Sequence, residues 1–575
     1  MISRIHACAC KRDPTIHRQL SPIERRSPCG REAGGVILGR SALTEVLVVG
    51  AGPVGLTMAA ELVRHGTRCR IIDKLPKPSP YCRAIGVTPR TLEIWDDMGI
   101  ARRMVDAGIW ITGLRSIIYP HPPKDELLEL SDLPFSELGL PQYETERLLT
   151  QHLNQFGFEV ERDVALTSLE QDERQVEVQL DHKSGRTERT AFRYVVGCDG
   201  AHSAVRRALK IPFEGEAFPM LFMLGDVQIA WKLPRGMALR AIRLVEDNAP
   251  NMFVAIPLPE PERYRVSMLA PSELVKSGGT DHGIQSELPG PDLTQLQTVA
   301  DDLVPEQPRL SDLRWSSIFR ISMRLAKAYR IGRVFIAGDA AHIHPPTGGQ
   351  GMNTGIQDAY NLAWKLALVV RRKAPQRLLD SYEVERRPVG AEVVARTRAA
   401  SEGYGREKSG KPDRLADTQV LISYRGTGWV RDDTHELDPA VPVPGDRAPD
   451  VTGLRRHGIG FPIRLFEVLR GTEHVLVVYL SQSPSAADIA GVAKLAQDLC
   501  ERFGSVLRVV AICGAELAEI FSLACYHDAE GEFAKAYGRQ STIFLVRPDG
   551  YIGWRGHFLD SEGLIAHLNQ TIICS

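Results

Sequence analysis

The feature that most constrains this chain is a glycine-rich turn between a short apolar run and a helical stretch. Residues 46–49 are Val-Leu-Val-Val, residues 50–55 read Gly-Ala-Gly-Pro-Val-Gly, and a helix is predicted over Leu56–His65. A second apolar run, Cys69–Ile72, ends at Asp73. This order and spacing predict a parallel βαβ unit that binds a dinucleotide.

Each glycine of this turn has a physical reason to be there. Gly50 permits a tight turn, Gly52 lets a pyrophosphate approach the backbone, and Gly55 lets the helix pack closely on the strand. The free N–H groups at the helix start favour phosphate, and Asp73 can accept hydrogen bonds from ribose hydroxyls. The motif alone does not distinguish FAD from NAD.

A second glycine turn lies almost three hundred residues further on and favours a flavin. The predicted strand Val334–Ala337 ends at Gly338-Asp339, where a carboxylate suits the hydroxyls of a polyol chain. A glycine-rich segment then leads into a helix predicted from Met352, whose N-terminal dipole would stabilise the negative charge of a reduced flavin. Asn353 either donates to a flavin carbonyl or caps the helix.

A third turn, Cys198-Asp199-Gly200, follows a predicted strand ending near Gly197. Asp199 and Ser203 either contact the cofactor or cap the helix that starts there. Together the three turns resemble those of the class A flavoprotein monooxygenases, the aromatic hydroxylases of the p-hydroxybenzoate hydroxylase type. The resemblance covers roughly residues 45–398.

The resemblance implies an FAD site built from all three turns, with further contacts at Arg83, at Gln142 and at the start of the long helix. It assigns FAD contacts to these residues: Gly50, Ala51, Gly52, Pro53, Gly55, Asp73, Lys74, Arg83, Gln142, Asp199, Gly338, Asp339, Pro346, Gly349, Gly351 and Asn353.

The resemblance also implies the reaction. NAD(P)H reduces FAD, dioxygen forms a C4a-hydroperoxyflavin, and its distal oxygen attacks a phenolic or polycyclic aromatic substrate. No substrate-activating base is predicted. Phenol hydroxylase has an aspartate near this position, whereas this chain has the apolar Ile85, which cannot accept a proton. His342 and His344 are predicted to be structural, backbone-bonded histidines, so no metal is expected. The strands at residues 222–231 and 252–257 are predicted to wall the substrate pocket.

Three alternatives remain open from the residues. A flavin-dependent halogenase would carry a Trp-x-Trp-x-Ile-Pro motif, which this sequence lacks. A flavin reductase acting on isoprenoid lipids would favour a membrane-facing surface. A non-catalytic FAD-binding interaction protein is the third, and the three intact turns argue against it.

The predicted fold class is α/β: a Rossmann-like FAD-binding domain with an inserted mixed β-sheet substrate domain, followed by a thioredoxin-like domain. The last resembles the C-terminal domain of phenol hydroxylase and of the phenylpropionate and polyketide hydroxylases, with Ser481-Gln-Ser483 in place of redox cysteines. The predicted boundaries are an N-terminal extension at 1–43, the FAD domain at 44–220 and 310–400, the substrate sheet at 221–309, a linker at 401–445 and the thioredoxin-like domain at 446–575. Strands between about residues 160 and 196 are also assigned to the second domain's mixed sheet, and residues 272–308 to a surface excursion.

Composition sets limits on partners. With 70 Lys and Arg against 71 Asp and Glu, the net charge is −1, which argues against a nucleic-acid partner. No apolar run is long enough to span a membrane. Ten dispersed cysteines favour reduced thiols and a cytoplasmic location, and a homodimer is possible. The extension carries eight basic and three acidic residues, which predicts a disordered tail or a misassigned start, with an organelle transit peptide as the alternative.

Overall fold

The computed structural model describes most of the chain from Glu45 onward, and the predicted extension at 1–43 lies outside the described residues. The described ranges are 45–78, 84–245, 251–270, 283–284, 289–344, 349–402, 415–434, 441–481, 484–515, 523–558 and 561–574. Helices and strands are numbered below in chain order.

A six-stranded sheet forms the centre of the FAD-binding part, in the order β19-β20-β12-β1-β2-β8. Its strands are β1 (Val46–Val49), β2 (Cys69–Ile72), β8 (Val160–Glu161), β12 (Tyr194–Gly197), β19 (Arg330–Ile331) and β20 (Val334–Ile336). The strands from β20 to β8 are parallel, and only β19 runs antiparallel to its neighbour. The carboxyl ends of β20, β12, β1 and β2 therefore meet at one edge, where ligands bind in open α/β sheets.

Two helices cover the strands at this edge: α1 (Pro53–Arg64) and α7 (Gln350–Val370), which pack against each other. Apolar residues of α7 such as Ile356, Ala359 and Ala363 recur at the spacing of a helix with a single apolar face, yet all residues of this helix except Gly351 and Met352 are buried. A helix buried on every side lies inside the molecule rather than on its surface.

Further helices and a small sheet surround this core. The helices are α2 (Pro89–Asp97), α3 (Ala101–Asp106), α4 (Gln142–Gln155), α5 (Ala204–Ala208) and α8 (Asp380–Glu402), and the small sheet contains β3 (Gly86–Val87), β4 (Ile109–Trp110) and β7 (Leu138–Gly139).

The strands predicted between residues 160 and 196 are present, but their assignment to the second domain's sheet is wrong. They form a separate antiparallel sheet of β9 (Val164–Gln171), β10 (Val176–His182) and β11 (Thr187–Phe192), while β8 and β12 belong to the central sheet. Alternating hydrophobicity reveals a strand but not the strand that it pairs with, which explains the error.

The substrate part is a nine-stranded mixed sheet in the order β17-β18-β13-β16-β15-β14-β5-β6, with β21 beside β18. Its strands are β5 (Gly113–Tyr119), β6 (Lys124–Leu127), β13 (Phe213–Ala230), β14 (Met237–Arg243), β15 (Asn251–Pro257), β16 (Arg263–Leu269), β17 (Gly283–Ile284), β18 (Arg309–Ala326) and β21 (His342–Ile343).

One helix interrupts the segment predicted to be a surface excursion. It is α6 (Leu293–Leu303), which starts at a capping box of Asp292 and Gln295. Leu296, Ala300 and Leu303 are buried at helical spacing in the core of the substrate sheet. The turn-forming residues around α6 concealed its short apolar face.

The C-terminal part is a seven-stranded sheet in the order β22-β28-β27-β24-β25-β26-β23. Its strands are β22 (Arg431–Asp432), β23 (Leu454–Arg455), β24 (His474–Leu480), β25 (Leu507–Cys513), β26 (Ala524–Asp528), β27 (Thr542–Val546) and β28 (Ile552–His557), and its helices are α9 (Leu465–Leu469), α10 (Ala486–Phe503), α11 (Glu532–Tyr537) and α12 (Ser561–Thr571).

The sequence predicts strands at 475–480, 507–512, 542–546 and 551–554 and helices at 487–502 and 530–537, which match β24, β25, β27, β28, α10 and α11 within a few residues. It does not predict β22, β23, β26, α9 or α12. The predicted α/β fold class is confirmed, while the thioredoxin-like identity of the C-terminal domain stays a prediction. Within the described ranges, no helix has the length and apolarity needed to cross a membrane.

Buried charges join the C-terminal sheet to the FAD-binding part. Arg547 donates to both carboxylate oxygens of Glu385 in α8, at 2.7 and 2.9 Å. Lys365 of α7 donates to the same carboxylate at 2.7 Å. Burial disfavours the charged carboxylate, but the charges of Arg547 and Lys365 outweigh it and hold the pKa of Glu385 at about 2. The acid is thus ionised inside the protein.

The segment predicted as a linker also contributes to this junction. Gln419 and Tyr424 are both buried. Tyr424 accepts a hydrogen bond from Arg386 of α8 at 3.1 Å and its ring lies 4.3 Å from that of Tyr551. Part of the predicted linker is therefore packed between the two parts that it connects.

We expect Arg547→Met to lower the free energy of unfolding by about 3–5 kcal/mol, because it leaves buried carboxylates without their main counter-charge. Arg102→Met is the control, since Arg102 is 94% exposed in its pair with Asp106 and should cost less than about 0.5 kcal/mol. Denaturant unfolding of both variants measures the difference. Equal costs in the two variants would contradict a stabilising role for the buried junction.

Candidate active site

The turn after β1 touches the turn after β12 through bare backbone. Gly50 has a φ of +100°, and a Cβ added there would lie 2.4 Å from the carbonyl oxygen of Cys198. A Cβ on Gly55 would lie 1.9 Å from the Gly50 oxygen, so only glycine fits at either position. Around Gly52 an added Cβ would meet no atom within 4 Å. The second glycine thus faces open space at the start of α1.

Asp73, at the end of β2, holds this turn in place. Its Oδ2 accepts a hydrogen bond from the Ala51 N–H at 2.8 Å, and its Oδ1 accepts one from the Leu75 N–H at 2.8 Å. Each carboxylate oxygen keeps a second lone pair that can accept from another donor. Arg162, which the sequence did not single out, lies 3.7 Å from Oδ2. Pro53 is the first residue of α1, and Lys74 is exposed.

Asp199, at the end of β12, caps the short helix α5, one of the two roles predicted for it. Its Oδ2 accepts hydrogen bonds from the N–H groups of Ala204 at 2.6 Å and Val205 at 3.2 Å. Ser203 is the N-cap itself and accepts from the Arg206 N–H. The other oxygen of Asp199, Oδ1, is buried and has no hydrogen-bond partner among the described residues. Burial raises the pKa of this carboxyl. The cap therefore leaves one oxygen for a further donor.

Gly338 and Asp339 form a helical turn directly after β20. Gly338 has a φ of +62°, and a Cβ there would lie 2.8 Å from the Val54 side chain in the first turn of α1. Asp339 is half-buried at the end of the strand. The turn after β20 and the turn after β1 therefore lie against each other.

The first turn of α7 packs on the small sheet. Gly349 is the N-cap with a φ of +65°, and a Cβ there would lie 3.6 Å from Cα of Gly86. Asn353 accepts from the Thr88 N–H at 3.1 Å and donates to the carbonyls of Gly86 and Gly349 at 2.9 and 2.7 Å. Its side chain thus fixes the helix start against β3 by donating to two carbonyls. The N-cap itself is Gly349, and no side chain among the described residues caps the helix, so the predicted capping role is wrong and the cofactor contact stays a prediction.

Gln142, the first residue of α4, connects this helix to Ala84 just before β3. Its backbone N–H donates to the Ala84 carbonyl at 3.0 Å, and its Oε1 accepts from the Ala84 N–H at 3.2 Å. Gly351 lies near His344, since an added Cβ would be 3.6 Å from that ring. Arg83 and Pro346 lie outside the described residues, so the structure does not place them.

A buried network that the sequence did not reveal supports the Gly338 turn. Asp358 of α7 accepts from the Gly338 N–H at 3.1 Å and from Arg386 Nε at 2.8 Å, and its Oδ2 lies 2.8 Å from His342 Nε2. Burial opposes ionisation, but the Arg386 charge and the His342 contact hold the pKa of Asp358 below its usual range. His342 is structural as predicted, although its partner is a carboxylate rather than backbone. The sequence signal for this network was Asp358, a carboxylate within an otherwise largely apolar helix.

The four strand ends therefore converge on one edge of the sheet. Contacts link the turn after β1 to those after β12, β20 and β2, and α7 closes the edge from the side of β3. A surface cleft of about 890 Å³ lies elsewhere, lined by Trp110, Phe135 and Arg464 among others, and none of the predicted cofactor residues lines it. The described residues include no group of three metal-ligating side chains.

Two family models match the chain. One, described as FAD binding domain, matches residues 43–397, and one described as aromatic-ring hydroxylase, C-terminal, matches residues 441–572. The first match alone spans more than half of the chain and includes every strand end described above.

Curated relatives and a solved structure agree with these models. A flavin-dependent monooxygenase of Mycobacteroides abscessus is 36% identical over 457 residues, which cover 77% of this chain and 90% of that protein. The pentachlorophenol 4-monooxygenase of Sphingobium chlorophenolicum is 33% identical over 556 residues, covering 93% and 98%. The anhydrotetracycline hydroxylase of Streptomyces rimosus superposes with a TM-score of 0.68 at 28% identity, covering 92% of this chain and 98% of that one. The chain thus belongs to the FAD-dependent aromatic monooxygenases, the enzyme family that its three glycine and aspartate turns predict.

Proposed function

We propose that this enzyme inserts one oxygen atom of dioxygen into a phenolic or polycyclic aromatic ring, with NAD(P)H as the reductant. The observation that carries the proposal is the convergence of four strand ends on one edge, with open space at Gly52 and a helix N-terminus on either side. The activities of two relatives, a pentachlorophenol 4-monooxygenase and an anhydrotetracycline hydroxylase, support a phenolic ring as the substrate class.

The pyrophosphate of FAD fits at the start of α1. Gly52 leaves the space, Gly50 and Gly55 bring the backbone turn close to the sheet, and the helix N-terminus offers N–H groups and partial positive charge. Ala51 and Pro53 complete the turn, with the Ala51 N–H held by Asp73. An anionic group is therefore accommodated by backbone N–H groups and the helix dipole.

The acidic residues at the strand ends suit the sugar-like parts of FAD. Asp73 retains lone pairs for ribose hydroxyls, and Asp339 lies at the end of β20 for the ribityl chain. Oδ1 of Asp199, which has no partner among the described residues, can accept from a further hydroxyl donor. The family resemblance assigns Gln142 to a position near the FAD phosphates and includes Lys74 among the cofactor contacts. Arg83 and Pro346 complete the proposed set on the same ground.

The N-terminus of α7 is proposed to face the flavin ring. When bound, FAD supplies the electron transfer and oxygen activation that no side chain of this chain can provide. Gly349, Gly351 and Asn353 form the first turn of a 21-residue helix, whose dipole places partial positive charge where negative charge develops. The protein's part is to orient the ring, stabilise that charge and exclude water.

The substrate is proposed to lie between this helix start and the nine-stranded sheet. Ile85, beside the small sheet, packs in a cluster with Leu258 and with Tyr143, Ile256 and Trp315. Through this cluster the segment that contains Ile85 contacts β15 and β18 by apolar and aromatic side chains, and such a surface suits a planar ring. Ile85 offers no proton acceptor, so a phenol is not activated from that position.

The domain boundaries, a homodimer and a cytoplasmic location stay predictions. The two-part FAD domain at 44–220 and 310–400 is compatible with the central sheet, since β1 and β20 lie in different parts of the chain and share one sheet. A transient NAD(P)H site is compatible with a single dinucleotide fingerprint in the sequence.

The function is tested with purified protein and a panel of phenols. We expect a yellow protein that consumes NADH or NADPH faster when a suitable phenol is present, with a product heavier by one oxygen atom in mass spectrometry. A yellow protein that neither nucleotide reduces would contradict the proposal and favour a non-catalytic FAD-binding role.

We expect Asp339→Ala to weaken FAD binding about ten- to a hundredfold, because a hydrogen bond to a charged acceptor contributes about 1.5–3 kcal/mol. Flavin absorbance of the purified protein and titration of the apoprotein measure the loss. Asp125→Ala, which removes an exposed carboxylate on β6, is the control and should bind FAD normally. Normal flavin content in Asp339→Ala would contradict the assignment.

Gly52→Ala and Gly55→Ala should separate cofactor binding from folding. A methyl at position 52 meets no protein atom, so the apoprotein should keep its Tm while FAD affinity falls. A methyl at position 55 would lie 1.9 Å from the Gly50 oxygen, so stability should fall by about 1–3 kcal/mol, the usual cost of overpacking. Unchanged FAD affinity in Gly52→Ala would place the pyrophosphate elsewhere.

A further inference from the structure

Glu137 lies beside the start of α7 and has no part in the site as described so far. It directly precedes β7, and its carbonyl accepts a hydrogen bond from the Ile111 N–H at 2.9 Å. A Cβ added at Gly86 would lie 3.5 Å from Glu137 Oε1 and 3.8 Å from Cα of Gly349. The carboxylate therefore contacts the same glycine that contacts the N-cap of α7.

The elements packed around Glu137 bring one charged neighbour. β3 and β4 contribute Gly86, Val87, Ile109 and Trp110, none of which is ionisable. The first turn of α7 contributes Gln350, which donates to the carbonyl of Asp417 at 3.0 Å. The Asp417 side chain is 71% exposed, and its Oδ1 lies 3.9 Å from Arg396 Nη2. Within the described ranges, Glu137 thus faces a second carboxylate, and no cation contributes to its ionisation.

Burial, with a smaller contribution from Asp417, raises the pKa of Glu137 to about 7. An acid with this pKa exists in both protonation states at neutral pH, so a small change in its surroundings changes its proton occupancy. A carboxylate with only a packing role gains nothing from this position, since an amide or an apolar side chain would fill the space without the cost of burying charge.

We propose that Glu137 is the proton-exchanging residue of the cofactor cradle, by which we mean the turns after β1, β2, β12 and β20 together with the start of α7. It takes up one proton from solvent when the cradle gains negative charge or is closed off from water, and releases it when the change reverses. The inference rests on the proposed function, since it takes the start of α7 to be the flavin side of the cradle. The only bond that changes is the carboxylic O–H, and its proton comes from and returns to water.

Proton binding at Glu137 and FAD binding must influence each other equally. If ligand binding raises the proton affinity of Glu137, protonation of Glu137 must strengthen ligand binding by the same factor. FAD affinity of the apoprotein should therefore fall as pH rises through 7. This dependence can be measured without turnover.

The test is calorimetric titration of the apoprotein with FAD at several pH values, in two buffers that differ in ionisation enthalpy. We expect wild type to take up about 0.4 proton at pH 7 if binding raises the pKa by one unit. Glu137→Gln should lose that uptake. Glu126→Gln, an exposed acid on β6, is the matched control and should retain it.

Asp417→Asn provides a second variant that leaves Glu137 in place. Removing the neighbouring negative charge lowers the proton affinity of Glu137, so the pH of maximum proton uptake should move below that of wild type. A structural role for Glu137 predicts no such shift. This variant also decides the matter if Glu137→Gln does not fold.

Two results would overturn the inference: proton uptake that persists in a folded Glu137→Gln variant, or a pH maximum that does not move in Asp417→Asn. Either result leaves the proposed function intact if FAD still binds and NAD(P)H is still consumed. A wild-type apoprotein that does not bind FAD would instead refute the proposed function, and this inference with it.

Discussion

Close backbone contact at the carboxyl edge of the parallel sheet is the constraint on which the cradle depends. An added Cβ would lie 1.9 Å from a backbone oxygen at Gly55 and 2.4 Å from one at Gly50. At Gly338 it would lie 2.8 Å from the Val54 side chain. Strand ends this close leave no room for side chains between them, so the space that remains is shaped by peptide groups and by a few carboxylates. Peptide N–H groups and helix ends then meet a negatively charged cofactor without mobile side chains.

Buried charge is the second constraint, and it acts on the same helix. Asp358 and Lys365 both lie on α7 and are fully buried, as are their partners Arg386 and Glu385 on α8. Burying these groups costs free energy that only close pairing offsets, so the pairs fix the two helices relative to each other. Asp358 also accepts from the Gly338 N–H, which brings the turn after β20 into the same network. The cradle is thus held by packing at glycine and by ion pairs at α7.

Local patterns in the sequence predicted helices and strands far better than they predicted which strands pair and which distant side chains meet. The turn at residues 50–55, Asp73 and Gly338-Asp339 were recognisable because each combines a strand, a glycine and an acid at fixed spacing. The sheet to which β9, β10 and β11 belong was not, because period-two alternation carries no information about pairing. Asp358 and Glu137 escaped notice for a related reason: their roles depend on neighbours far away in the sequence, Arg386 for one and Asp417 for the other.

The C-terminal sheet contributes to the cradle through contacts that a tethered domain would lack. Arg547 neutralises Glu385, and the next residue of α8, Arg386, binds Asp358 and donates to the Thr354 carbonyl of α7 at 3.1 Å. Four buried charged residues, Arg547, Glu385, Arg386 and Asp358, thus connect the C-terminal sheet to the Gly338 N–H. Loss of the C-terminal sheet would leave Glu385 and Lys365 partly unpaired in the interior, at a cost too large for α7 and α8 to keep their packing unchanged. The position of α7 against the Gly338 turn therefore depends on a domain that adds none of the proposed cofactor ligands.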